Sequence, residues 1–281
     1  MRKPIEKFLP RAGGEMCMFD WRGESPALLF AHGASFHARC WDAVIERLPN
    51  RCIAIDLRGH GRSDAPALPL QWRIFAEDVI AAAQDAQADH LIGVGHSLGG
   101  HAIAEAAALR GDLFDRLLLI DPVILPPAAY RHRSDEANGA ARRRSEFASI
   151  DEMKDKLGAR LPFSAWDARV FDDYCRHGLL PKPDGSFTLA CAPATEAVVY
   201  DAGAMPAADL SDLLPTIHTP TLVIRSARSQ TGPRDFMASP TRSDLASLLP
   251  QGKDVIVEGS HFIPMERPAQ LALWIKRFLN E

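Results

Sequence analysis

A serine with a glycine two positions away on each side, in Gly95-His96-Ser97-Leu98-Gly99-Gly100, stands between the apolar run Leu91-Ile92-Gly93-Val94 and the helix-favouring run from Ala102 to Leu109. This is a strand, a tight turn and a helix with a hydroxyl at the apex. Small residues at Gly95 and Gly99 let strand and helix pass close together, so the Ser97 hydroxyl is pushed clear of the sheet. The first N–H groups of the new helix have no internal partner, and they favour negative charge beside that hydroxyl. Nucleophilic attack on a carbonyl is the chemistry such a turn suits.

A serine hydroxyl is a weak nucleophile until a neutral imidazole takes its proton. His261, in Glu258-Gly259-Ser260-His261-Phe262-Ile263-Pro264, follows the last strand-like run, at the strand end where open α/β sheets build their sites. The other histidines near the motifs read differently. His96 lies inside the turn and points away from the Ser97 hydroxyl, His101 sits in the first turn of the next helix, and His60 belongs to a glycine-rich turn as a structural hydrogen-bonding residue. A developing oxyanion needs donors, and the Leu98 N–H together with that of Ala34, in His32-Gly33-Ala34-Ser35-Phe36, can supply two. Each such donor contributes about 2.7 to 4 kcal/mol of transition-state stabilisation in comparable sites.

The elements that position these residues alternate. Ala27–Ala31, Arg51–Asp56, Leu91–Val94, Arg116–Asp121, Thr221–Arg225 and Asp254–Glu258 read as strands, and Glu15–Trp21 as a half-exposed one. Helical spacing runs through Trp41–Leu48, Trp72–Ala88, Gly100–Arg110, Thr241–Leu249 and Pro268–Leu279. Alternation of this kind gives an α/β fold, a mostly parallel central sheet flanked by helices. It stops after Asp121 and resumes near Pro220, too long a gap for a connection. Residues 122–219 are therefore expected to form an inserted, mainly helical cap on a core of residues 1–121 and 220–281. Within it, Glu136–Ile150 and Asp167–His177 have helical composition, Ser186–Ala190 reads as a strand, and Arg142-Arg143-Arg144 reads as a solvated face rather than an anion site.

These motifs resemble those of the α/β-hydrolase superfamily. His32-Gly33-Ala34 is similar to its oxyanion loop, Asp56-Leu57-Arg58-Gly59-His60-Gly61-Arg62-Ser63 to its post-strand turn, Gly95 to Gly99 to its nucleophile elbow, and Gly259-Ser260-His261 with Pro264 and Glu266-Arg267-Pro268 to its histidine loop. The resemblance implies a serine hydrolase that needs no cofactor and carries a lid. It also implies an acid a few residues beyond Ile224, where this chain reads Ser226-Ala227-Arg228-Ser229-Gln230. Some members take the acid from the end of the preceding strand, which points to Asp121; Asp235 is the alternative.

The expected reaction is hydrolysis of a small or medium, largely apolar carboxylic ester through an acyl-enzyme, with Phe36, Trp41, Trp166 and Tyr174 among the pocket aromatics. Carbon–carbon, lactone or amide hydrolysis would use the same triad. A ligand-binding protein with little turnover is the alternative from another class.

At 281 residues, with 47% hydrophobic residues and a net charge of −4, the chain has an ordinary globular composition. It gives no reason to expect nucleic acid or an anionic membrane as a partner. A small-molecule substrate is the expected partner, with a homodimer left open. Five scattered cysteines without a C-x-x-C pair, and ten histidines without helical pairing, suggest neither disulfide framework nor metal. The charged start Met1–Lys7 lacks the apolar run of a signal peptide, so a cytoplasmic location is expected.

Overall fold

The computed structural model describes residues 2–130, 135–229, 231 and 235–280. Two antiparallel strands, β1 (Ile5–Arg11) and β2 (Gly14–Trp21), open the chain, followed by β3 (Glu24–Ala31), α1 (Asp42–Ile45), β4 (Asn50–Ile55), α2 (Arg73–Ala86), β5 (Leu91–His96), α3 (Leu98–Leu109) and β6 (Arg116–Ile120). A long insert follows. The alternation then resumes with β10 (Thr221–Ser226), α8 (Leu245–Leu248), β11 (Gly252–Val257), α9 (Ile263–Glu266) and α10 (Pro268–Leu279). Eight strands form one sheet in the order β1-β2-β4-β3-β5-β6-β10-β11, and every pair from β4 to β11 is parallel.

The period of two decides which face each strand residue covers. Leu29 and Ala31 of β3 face Phe75 and Val79 of α2 and Ala102 of α3, whereas Leu28 and Phe30 face Val44 of α1 and Leu271 and Ile275 of α10. The sheet is thus buried on both sides, as parallel sheets require. β2 departs from the expected half-exposed strand. Met16 and Met18 join one core and Cys17, Phe19 and Trp21 the other, so both faces are covered.

The insert contains α4 (Asp135–Ala140), β7 (Glu146–Phe147), α5 (Ile150–Leu157), α6 (Ala168–His177), β8 (Leu179–Pro181), β9 (Phe187–Leu189) and α7 (Pro193–Gly203). Its three strands make a separate antiparallel sheet, β7-β9-β8. The helix expected over Glu136–Ile150 ends instead at Ala140. Arg143 turns inward to Glu196 and Tyr174, and Phe147 pairs with Phe187 across β7 and β9, so the chain there is extended. Buried polar links tie the insert to the sheet region: Trp72 Nε1 donates to the Val199 carbonyl (2.7 Å), His101 Nε2 to that of Ala208 (2.9 Å) and His37 Nε2 to that of Tyr174 (3.2 Å).

All five cysteines are buried as free thiols. Among the described residues no helix is long and apolar enough to cross a membrane.

Candidate active site

The carboxyl ends of β3, β5, β6, β10 and β11 lie side by side, because the strands pair almost in register there, Ala31 with Gly95, His96 with Ile120, Ile120 with Ile224, and Ser226 with Val257. Each strand end then releases one loop into a shared space. Ser97 leaves β5 with φ 56° and ψ −119°, a strained conformation for a residue with a side chain. Two glycines permit the turn. A Cβ at Gly99 would collide with the Ala31 carbonyl, and one at Gly95 with the Gly99 carbonyl. The Ser97 N–H donates to Ile120 (3.1 Å) and its carbonyl accepts from Val123 (3.1 Å), so the apex is fixed against the end of β6.

His261 and Asp121 complete a hydrogen-bonded chain. His261 Nε2 lies 2.9 Å from Ser97 Oγ, and His261 Nδ1 lies 2.8 Å from Asp121 Oδ2. Asp121 is fully buried and has φ 43°, the left-handed region, immediately beyond β6. Its other oxygen accepts from the Ser226 N–H (3.1 Å) and Ser239 Oγ (2.5 Å), with Thr241 Oγ1 at 3.4 Å. Burial pushes the carboxyl pKa up, but the bonds from His261, Ser239 and Ser226 outweigh it and hold the group below the usual carboxylate range. An anion is therefore present to hold the imidazole in one tautomer.

Asp235 lies elsewhere. It is bound by Arg228, Thr231 and the Met237 N–H, and the imidazole is already satisfied by Asp121. Of the segment after Ile224, Gln230 lies outside the described residues.

The histidine loop is braced on both sides. The His261 N–H donates to the Met237 carbonyl (2.8 Å), and its own carbonyl accepts from His96 Nε2 (2.8 Å). His96 thus faces away from the Ser97 hydroxyl and positions the loop; burial pulls its pKa down to about 3, so it stays neutral. His60 is likewise buried, with Nδ1 donating to the Arg58 carbonyl (3.1 Å). Glu266 holds both the N–H and the hydroxyl of Ser260.

The loop after β3 packs directly on the nucleophile side, since a Cβ at Gly33 would sit 3.0 Å from Ser97 Cβ. Ala34 follows it, and Leu98 is the first residue of α3, where an N–H has no intrahelical acceptor.

Phe36 gathers aromatics of the insert and of the histidine loop around it. Its ring centroid lies 5.7 Å from Trp166, 6.0 Å from Tyr174 and 6.1 Å from Phe262, all edge-on. Trp41 does not join them. It packs 5.2 Å from Phe30, in the core cluster that also holds Val44 of α1 and Leu271 and Ile275 of α10, apart from the Phe36 cluster. The expectation that Trp41 lines the pocket is corrected accordingly.

The sequence pattern missed a polar cluster beside the aromatics. Ser35, with φ 72°, donates to Glu196 of α7, and Glu196 also holds Arg143, whose other nitrogen donates to the Tyr174 hydroxyl (3.0 Å). A lone glutamate in a helix with no motif around it gave no signal of this contact. Ser239 and Thr241 were missed for the same reason.

The sequence profile described as "Alpha/beta hydrolase family" matches residues 28–272, most of the chain. The chain belongs to the alpha/beta hydrolase family. It is 28% identical over 268 residues to 2-(acetamidomethylene)succinate hydrolase of Mesorhizobium japonicum, covering 92% of this chain and 90% of that one. Lipase LipV of Mycobacterium tuberculosis is 28% identical over 260 residues, covering 90% and 93%. The crystal structure of E-2-(acetamidomethylene)succinate hydrolase superimposes with a TM-score of 0.80 over 99% of this chain and 100% of that chain, at 23% identity. Two of these are named as hydrolases of the same succinate derivative and one as a lipase.

Proposed function

We propose that this chain is a serine hydrolase that cleaves a small or medium, largely apolar carboxylic ester, with the insert acting as a cap over the site. The observation that carries the reading is the unbroken chain from Ser97 Oγ through His261 to the buried Asp121, with contacts of 2.9 and 2.8 Å. His261 Nε2 takes the proton of the Ser97 hydroxyl as Oγ bonds to the ester carbonyl carbon. The carbonyl oxygen becomes an anion facing the N–H groups of Leu98 and Ala34. The imidazolium, stabilised by Asp121, returns the proton to the leaving alcohol as the C–O bond breaks. Water then adds to the acyl-enzyme with His261 again as base, and the acid leaves as Ser97 regains its proton.

The substrate class rests on the aromatic cluster of Phe36, Trp166, Tyr174 and Phe262, which favours an apolar acyl group. Carbon–carbon, lactone and amide cleavage would draw on the same residues, and one relative is named for hydrolysis of an acetamidomethylene-succinate rather than of an ester. The reading as a ligand binder with little turnover drew on the missing acid after Ile224, and the Asp121 contact removes that support.

Labelling with a fluorophosphonate tests the nucleophile. Wild-type protein is expected to react and Ser97→Ala to lose both labelling and turnover, roughly 10⁴- to 10⁶-fold in kcat. An unreactive wild-type protein would overturn the proposal. Esters of graded acyl length, run beside amides, lactones and diketones, then fix the bond that is cut.

A further inference from the structure

The insert holds a cavity of about 540 Å³, bounded by the turn after α4, by α5 with the residues that follow it, and by β9. Its charge is one-sided. Arg142, Arg143, Arg144, Lys156 and Arg160 line it, and no acidic side chain does so among the described residues. The chain as a whole carries −4, so this is a local concentration against the overall balance. Arg143 is committed to Glu196 and Arg144 to Glu152, whereas Arg142, Lys156 and Arg160 have no ion pair among the described residues.

Cations on a flat surface are individually solvated and repel little. Gathered on a concave wall they focus a positive field, and a bound anion relieves their repulsion. The floor of this cavity is apolar: Phe147, Met153, Leu157 and Leu189. A polyanion would leave that floor unused, and a simple inorganic ion would leave most of the volume unfilled. The volume matches a small organic molecule.

We propose that the cap cavity binds the head of an amphiphilic carboxylate, gripped by Arg142, Arg160 and Lys156, with its hydrocarbon lying on Phe147 and Leu189. Guanidinium groups present the paired N–H donors that a carboxylate accepts. The choice of carboxylate rests on the ester hydrolysis proposed above, which releases one. Its source is either the far end of the substrate or a free acid. Arg143 and Leu189 also border a crevice of about 10 Å³ that reaches Ser35 and Phe36, so the cavity lies one side chain from the loop beside Ser97.

Calorimetric titration of Ser97→Ala protein with octanoate and with 1-octanol tests the site without any turnover. Octanoate is expected to bind and to lose about ten-fold or more in affinity in the Arg142→Glu, Arg160→Glu double variant, while octanol changes by less than about two-fold. The single variant Lys156→Gln, which removes a charge without reversing one, is expected to cost about three-fold for octanoate alone. Failure of octanoate to bind, an unchanged affinity in both variants, or equal weakening of octanoate and octanol would each overturn the proposal. Kinetics on active protein assign the source. A kcat/KM for mono-4-nitrophenyl suberate above that for 4-nitrophenyl octanoate, lost on charge reversal, marks the substrate's own tail; equal values with octanoate binding retained mark a free acid. A wild-type protein inert to fluorophosphonate would refute the hydrolase reading, while the titration still decides this one.

Discussion

Asp121 receives close hydrogen bonds from three different segments: His261 after β11, Ser226 at the end of β10, and Ser239 in the loop beyond it. A carboxylate so held cannot swing away from the imidazole, and replacing it with an amide leaves the geometry while removing the charge. Asp121→Asn is expected to lower kcat roughly 10⁴-fold, whereas Asp235→Asn stays within about two-fold, as steady-state ester hydrolysis will read. An unchanged rate for Asp121→Asn would refute its role. Ser97 and His261 were legible because glycines at fixed offsets and a strand-end position announce them. The acid was legible only as a choice between two aspartates, since Ser239 and Thr241 approach it across more than a hundred positions of chain and no local pattern encodes that approach.

At the scale of elements, periodicity located seven of the eight sheet strands to within about three residues and the long helices nearly as well, but it missed β1, whose residues Ile5–Arg11 pair at the sheet edge, are largely exposed and show no apolar run. It failed where side chains had other partners. The helix expected over Thr241–Leu249 shrinks to Leu245–Leu248, because Thr241 donates to the Pro122 carbonyl (2.7 Å) and the Arg242 N–H to that of Ile124 (3.0 Å), tying this stretch to the end of β6. Trp41 and Trp166 show the same limit. Both are apolar, and nothing in their spacing tells which side of the sheet each reaches. Trp41→Ala is expected to cost about 3 to 5 kcal/mol of stability in denaturant unfolding with KM unchanged. Trp166→Ala is expected instead to alter KM as acyl length grows, and the reverse pattern would return Trp41 to the pocket.

Across the whole molecule, burial holds a set of histidines neutral. Desolvation pulls His37 and His96 down to about 3 and His60 and His101 to about 4, with His32 shifted the same way. An unfolded chain protonates these rings below about pH 6.5, so their contribution is complete above that value and is lost as pH falls toward 3 or 4. Burial acts oppositely on acids. It pushes Asp56 and Asp173 up to about 6 and Glu105 to about 7, and their protonated forms favour the fold as pH falls. Counting His177, pulled down to about 4, and Asp42, pushed up, six such histidines outnumber four such carboxylates, so Tm is expected to decline on acidification from about pH 6.5 to 4.5, measured by scanning calorimetry. A rise in Tm over that range would contradict the balance. The buried thiols carry a consequence of another kind. Desolvation raises all five, Cys52 and Cys175 to about 12, so a thiol reagent meets no thiolate until the chain around a given sulfur opens. Cys17 and Cys52 lie in the sheet core, and Cys175 and Cys191 in the insert. The order in which these sulfurs are modified over hours would therefore time the loosening of each layer, and would separate lifting of the insert from global unfolding without any engineered label.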